Sequence, residues 1–220
     1  MRVLAVDTAT ERESVAVVAA GAVLGEVRVH TTEGHSRPLV GAVAFLIESL
    51  GLGAGEIDGY AVTTGPGSFT GLRIGISTVQ GLALASRRPC LGISTLEVLA
   101  SRIVGTADRL VAVMDAHRGQ VFGQIFDREG RPLGAPLLEA PDAFFRELEG
   151  APAFIGDGAQ RYQQRIREIL PAAAFPQRGL FLAATLGLMA ERSLESGAGS
   201  GPEALRPLYL READIRRSGS

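Results

Sequence analysis

The chain has 220 residues, 46% hydrophobic and 21% charged, which fits one large or two small globular domains and excludes a disordered chain. All 22 basic residues are arginine; without a lysine, P-loop phosphate binding and Schiff-base chemistry are excluded. A formal net charge of −2 argues against a stand-alone nucleic-acid binder, which carries a basic face.

Cys90 is the single cysteine, so there is no intrachain disulfide and no cysteine-rich zinc site. Its setting, Pro89-Cys90-Leu91-Gly92-Ile93, reads as an apolar strand with a buried structural thiol. Asp7 interrupts the opening apolar run, so no signal peptide is expected, and the stretch Leu180 to Ala190 is too short to span a bilayer. The expectation is a cytoplasmic protein.

In chain order, Arg2–Val6 reads as a buried strand, followed by strands at Ser14–Ala20 and Ala22–Val29. Ser36–Leu50 reads as a helix, Ile57–Thr63 as a strand, Thr70–Ser86 as a helix, Pro89–Ile93 as a strand and Thr95–Val104 as a helix. Strands follow at Arg109–Met114 and Gln120–Asp127, a short helix at Asp142–Leu148 and a strand at Ala153–Ile155. Tyr162–Leu170 and Leu180–Leu194 read as helices before a Gly/Ser-rich stretch and the tail Leu205–Arg217.

The two halves open alike. Arg2-Val3-Leu4-Ala5-Val6-Asp7 resembles Arg109-Leu110-Val111-Ala112-Val113-Met114-Asp115, and each strand ends in Asp before a polar turn and a second strand. This points to an internal duplication, with lobes at residues 1–104 and 105–220. The order of elements makes an α/β fold of mixed sheets flanked by helices.

A duplicated strand-Asp-turn resembles the superfamily of actin, heat-shock chaperones and sugar kinases, and implies a two-lobed actin-like ATPase (ribonuclease H-like) fold. In that superfamily two such hairpins hold the phosphates of a nucleotide. The resemblance thus implies a nucleotide site at Asp7, Asp115, Gly156 and Gly158, where carboxylates suit Mg²⁺ and glycines let backbone approach a ligand. The first turn, Thr8-Ala9-Thr10-Glu11-Arg12-Glu13, has no glycine and two acids, a poor grip for phosphate. ATP or ADP with Mg²⁺ is therefore expected to bind weakly, at a partner interface, or not at all.

The segment from Thr63 to Gly75 resembles the signature of the TsaB (YeaZ) family, with Gly65, Pro66, Gly67, Ser68, Thr70 and Arg73 as its marked positions. Met114-Asp115-Ala116 and Leu208-Tyr209-Leu210-Arg211 extend the likeness along the chain. The resemblance implies a non-catalytic, accessory partner of TsaD in a tRNA threonylcarbamoyltransferase complex. That complex moves a threonylcarbamoyl group from an adenylate to the adenosine beside the anticodon of tRNAs reading codons that start with A. It also implies a TsaD heterodimer, TsaE, a homodimer, tRNA contact through the complex, and no membrane.

Three other readings stand beside it: a nucleotide-dependent ATPase, a phosphotransferase and a glycoprotease-type peptidase. The His-x-x-x-His metal pair of TsaD falls here on Thr95 and Leu99, and leucine cannot ligate a metal. No G-x-S-x-G elbow occurs. His30, Glu33 and His35 read as a loop, with His35 beside a helix start, rather than as a metal site. The glycine turn reads as a rigid strand-to-helix connection ahead of an anion site. Arg206, Arg211, Arg216 and Arg217 read as a solvated tail. No catalytic residue and no metal ligand is assigned.

Two helices look unsuited to a lone monomer. Leu39–Ile47 has no polar side chain on any face, and the helix from Thr70 carries Gly71, Gly75 and Gly81. A partner interface is expected on Leu39, Val43, Ile47, Gly71, Gly75 and Leu82, against the alternative of intramolecular packing.

Overall fold

β1 (Arg2–Asp7) is buried from Val3 to Asp7, as an apolar, β-branched run between two layers must be. It pairs antiparallel with β2 (Arg12–Ala19), from Arg2 opposite Ala19 to Asp7 opposite Ser14, and β2 pairs antiparallel with β3 (Ala22–His30). On its other side β1 pairs in parallel with β4 (Gly59–Thr63), which pairs in parallel with β5 (Cys90–Ile93). The sheet order is β3-β2-β1-β4-β5. The structure, a computed structural model, describes residues 1–30 and 36–211. The expected loop residues Glu33 and His35 and the tail arginines Arg216 and Arg217 lie outside the described residues.

The second sheet repeats this plan in shorter form. β6 (Arg109–Asp115) pairs antiparallel with β7 (Val121–Asp127) and parallel with β9 (Ala153–Ile155). β7 pairs antiparallel with β8 (Leu137–Glu139), giving the order β8-β7-β6-β9. The duplicated opening is thus one topology used twice.

Helices α1 (Ser36–Ser49) and α2 (Phe69–Ser86) cover the outer face of the first sheet through Leu39, Val43, Leu46, Ile76 and Val79. The outer face of the second sheet carries α4 (Pro141–Arg146), α5 (Asp157–Arg161) and α6 (Gln163–Ile169), around Phe144, Phe145, Phe154 and Ile166. Between the sheets lie α3 (Thr95–Ser101) and α7 (Ala183–Glu195), in a core shared by both lobes.

These two helices cross the expected lobe boundary. α7 follows the second sheet in sequence but packs on β1, β2 and β4, and α3 precedes that sheet but packs on β6. Residues 105–220 therefore do not form a packing unit of their own. Polar side chains secure the crossing: Ser14 Oγ accepts the Ala183 amide at 3.1 Å and Glu26 accepts the Ala184 amide at 3.4 Å. Both acceptors serve the first turn of α7, whose amides have no intrahelical partner.

Several element boundaries differ from the sequence reading. The expected helix Tyr162–Leu170 begins one turn earlier as α5 and breaks at Tyr162, whose φ of −102° leaves the helical range. β8 has only three residues, too short to show an alternation of its own. Cys90 is buried, as its apolar strand implied, and burial pushes its thiol up. Among the described residues no helix is long and apolar enough to cross a membrane.

The glycines of α2 divide by face. Thr8 Oγ1 donates to the Gly71 carbonyl at 2.7 Å, and a Cβ at Gly75 would run into that hydroxyl. Gly81 has open space around it. Gly75→Ala should therefore destabilise the chain by about 1–3 kcal/mol through overpacking. Gly81→Ala should stabilise it by up to about 1 kcal/mol through helix propensity. Urea unfolding of both variants checks the opposite signs.

Candidate functional site

The turns of the two Asp hairpins face each other across a cleft of about 650 Å³. The β1–β2 turn contributes Thr10 and Arg12, the β6–β7 turn Asp115 and His117, the α2 entry Ser68 and Phe69, and the tail Leu208 to Arg211.

Each hairpin aspartate folds its own turn. Asp7 Oδ1 accepts the Ala9 amide at 3.2 Å, and Asp115 Oδ1 accepts the His117 amide at 3.1 Å, the same step of two residues in both lobes. Asp7 also accepts Thr63 Oγ1 at 2.7 Å and is fully buried, so it does not reach the cleft. Asp115 does line the cleft, but the guanidinium of Arg161 sits on its Oδ2 at 2.5 Å.

The glycines expected to approach a ligand approach the protein instead. Gly156 has φ 116°, and a Cβ there would enter the Val113 carbonyl. Gly158 lies against the backbone of Met114 and Asp115. Both let α5 close on β6, and neither lines the cleft.

The residue between them does. Asp157 Oδ1 accepts the Gly158 amide at 2.9 Å and the Asp115 amide at 3.2 Å, tying α5 to the end of β6. Burial pushes its carboxyl up, and the charge of Asp115 adds to this; the two amide bonds and Arg12 oppose it. Asp157 stands between those two glycines, and the Gly156-Asp157-Gly158 triplet is the one sequence signal that marks it.

This donor set does not fit a magnesium nucleotide. One hairpin carboxylate is buried beneath its turn, the other is held by Arg161, and the loop glycines are filled by β6.

The glycine-rich turn is a junction. The Ser68 amide donates to Ala9 O at 2.7 Å and Ser68 Oγ accepts the Gly71 amide at 3.2 Å, capping α2. The Gly65 carbonyl accepts the Thr95 amide at 2.8 Å, which ties the start of α3 to the turn. Pro66 and Gly67 line the cleft, Thr70 is exposed, and the Arg73 guanidinium stacks 3.8 Å from the Phe69 ring centre. Thr95 and Leu99, the positions read against the TsaD metal pair, are both buried, Leu99 in the central core.

Most of the residues expected at a partner interface are not the exposed ones of their helices. Leu39 and Val43 are buried against the first sheet, the Gly71 carbonyl accepts Thr8 Oγ1, Gly75 lies against that hydroxyl, and Ile47 and Leu82 are half-buried. On α1 and α2 the large apolar side chains left exposed are Val40, Phe45 and Leu84, at 63%, 62% and 70% exposure. An all-apolar helix on a sheet buries one side, and sequence alone did not say which.

A family model described as TsaD, tRNA N6-adenosine threonylcarbamoyltransferase, matches residues 23–182. The chain is 38% identical over 131 residues to the tRNA threonylcarbamoyladenosine biosynthesis protein TsaB of Escherichia coli, a match covering 59% of this chain and 56% of that protein. It is 30% identical over 182 residues to TsaB of Haemophilus influenzae, covering 74% of this chain and 75% of that one. The chain belongs to the TsaB family.

Its structure superposes on YeaZ from Pseudomonas aeruginosa with a TM-score of 0.80 and 30% identity, over 95% of this chain and 99% of that one. A likeness in fold alone extends to the activator of 2-hydroxyisocaproyl-CoA dehydratase from Clostridium difficile, at TM-score 0.54 and 11% identity, over 90% and 97% of the two chains. The TsaB-family fold here is thus the two-lobed actin-like one.

The Asp157 carboxyl makes the site sensitive to pH. Its folded value lies above its unfolded value, so the folded state binds more protons than the unfolded one. Stability then falls as pH rises through the folded value. Asp157→Asn keeps the acceptor oxygen and removes the charge. Melting temperatures should be similar for both proteins below about pH 4, and the variant should melt higher than the parent at pH 7.

Proposed function

We propose that the protein is a non-catalytic subunit of tRNA threonylcarbamoyladenosine biosynthesis that holds TsaD for the transfer of threonylcarbamoyl to the adenosine beside the anticodon. Membership of the TsaB family supports the pathway. The observation that carries the role is the uncovered apolar side of α1 and α2, with Val40, Phe45 and Leu84 in solvent. Burying large apolar side chains of this kind contributes roughly 1.5–3 kcal/mol each, enough to hold a partner helix. Gly41 and Gly81 have open space and Ala44 is exposed, so a partner backbone can come close.

In this reading the partner is TsaD, with TsaE completing the complex and a second copy of the chain as an alternative occupant of the same face. tRNA is contacted through the complex, in the cytoplasm. The family-level metal positions Thr95 and Leu99 are turned into core, which suits a subunit without chemistry of its own.

Reconstituted transfer with TsaD and TsaE should be lost when this protein is omitted. Phe45→Asp and Leu84→Asp should weaken TsaD binding at least tenfold, about 1.4 kcal/mol. Their melting temperatures should stay near that of the parent, because both side chains already face water. Normal co-purification of both variants would place the interface elsewhere.

The second reading, a nucleotide-dependent ATPase or phosphotransferase, is favoured only by the retained Asp7 and Asp115. Since Asp7 is buried and Asp115 is paired with Arg161, we infer that the isolated chain binds ATP or ADP weakly or not at all. Calorimetry should detect no micromolar affinity, and reconstituted transfer should survive Asp115→Asn.

A further inference from the structure

Near the end of the described chain, a short segment runs from the first lobe to the second across the cleft mouth. Its near end is firmly seated. Leu205 is buried in the outer core of the first lobe, and Gln80 Nε2 donates to Pro202 O at 2.9 Å. The Leu208 amide donates to Thr64 O at 2.7 Å beside the glycine turn. The Tyr209 ring lies 4.9 Å from that of Phe69, and its hydroxyl accepts Arg73 Nε at 3.0 Å.

Its far end is held differently. Arg211 donates from one guanidinium nitrogen to Ala116 O at 2.9 Å and from the other to Gln120 Oε1 at 2.5 Å. Both acceptors belong to the β6–β7 turn of the second lobe. That turn holds His117 and Arg118 at φ 58° and 54°, in the left-handed region unusual for residues with a side chain. The guanidinium bridges Ala116 and Gln120, the two ends of this five-residue excursion.

We propose that Leu205–Arg211 is a strap that latches the two lobes across the cleft, with Leu205 to Tyr209 as its fixed end and Arg211 as a releasable catch. The two ends differ in kind. Backbone bonding and a buried leucine hold the first, whereas a half-exposed side chain competing with water holds the second. The shared core around α3 and α7 stays joined on the opposite side of the cleft and serves as the hinge. Release of Arg211 removes the buttress from the β6–β7 turn and widens the mouth between Thr10 and His117.

The test uses the full chain with Thr70→Cys and Gln160→Cys, both exposed and on opposite lobes, as spin-label sites; Cys90 is buried and stays unlabelled. With the strap intact, the distance across the mouth should be a single narrow distribution. Arg211→Ala should broaden it or add a longer population, and Gln120→Ala, which removes an acceptor from the other side, should do the same. Amide exchange across Ala116–Gln120 should rise at least tenfold in both, with far-ultraviolet circular dichroism unchanged. Distances and exchange that match the parent in both variants would overturn the latch.

Discussion

Each sheet of this molecule has a second apolar face that its outer helices do not cover. That constraint organises the rest. Val3, Ala5 and Val18 of one sheet and Leu110, Ala112 and Met114 of the other point inward and must be kept from water. The helices that cover them, α3 and α7, each come from the far side of the chain's midpoint. Neither lobe can therefore complete its core alone, although each has the topology of a repeat. The two repeats thus share one interlocked core.

That interlocking changes the use of residues that would otherwise suit a ligand. Asp7 and Asp115 stand where hard oxygen ligands are useful, yet both fold their own turns. Gly156 and Gly158 bring α5 onto β6, and Gly75 brings α2 onto Thr8. Ser68 and Ala9 join the first hairpin to the glycine turn, and the turn's carbonyls receive α3 and the tail. The groups around the cleft are largely satisfied by one another. What the molecule offers outward is an apolar helical face and a strapped cleft.

The electrostatics follow the same division. Asp157 is the cleft carboxyl that burial pushes up, and it holds two amides that position α5 rather than a metal. Asp115 is matched by Arg161, whose exposed guanidinium closes the carboxylate from the solvent side. Arg73 is spent on Phe69 and Tyr209, and Arg211 on the β6–β7 turn. Arginine suits these tasks, because a planar guanidinium can stack and donate in two directions at once.

The sequence by itself determined every strand but β8, because apolar, β-branched runs bounded by turn residues are legible without context. It also determined the duplication, from two matching openings, and the family, from the segment around Gly65–Gly75. Short elements such as β8 and the break at Tyr162 were not legible, since three residues carry no period and a helix break needs no glycine or proline. Which side of α1 is covered, and so that Phe45 rather than Val43 meets solvent, was decided by the sheet beneath it. Tertiary structure alone paired Arg161 with Asp115, seated Gly156 against Val113 and carried Arg211 to Ala116. These contacts join residues far apart in the chain, and no local pattern records which distant backbone a side chain will meet.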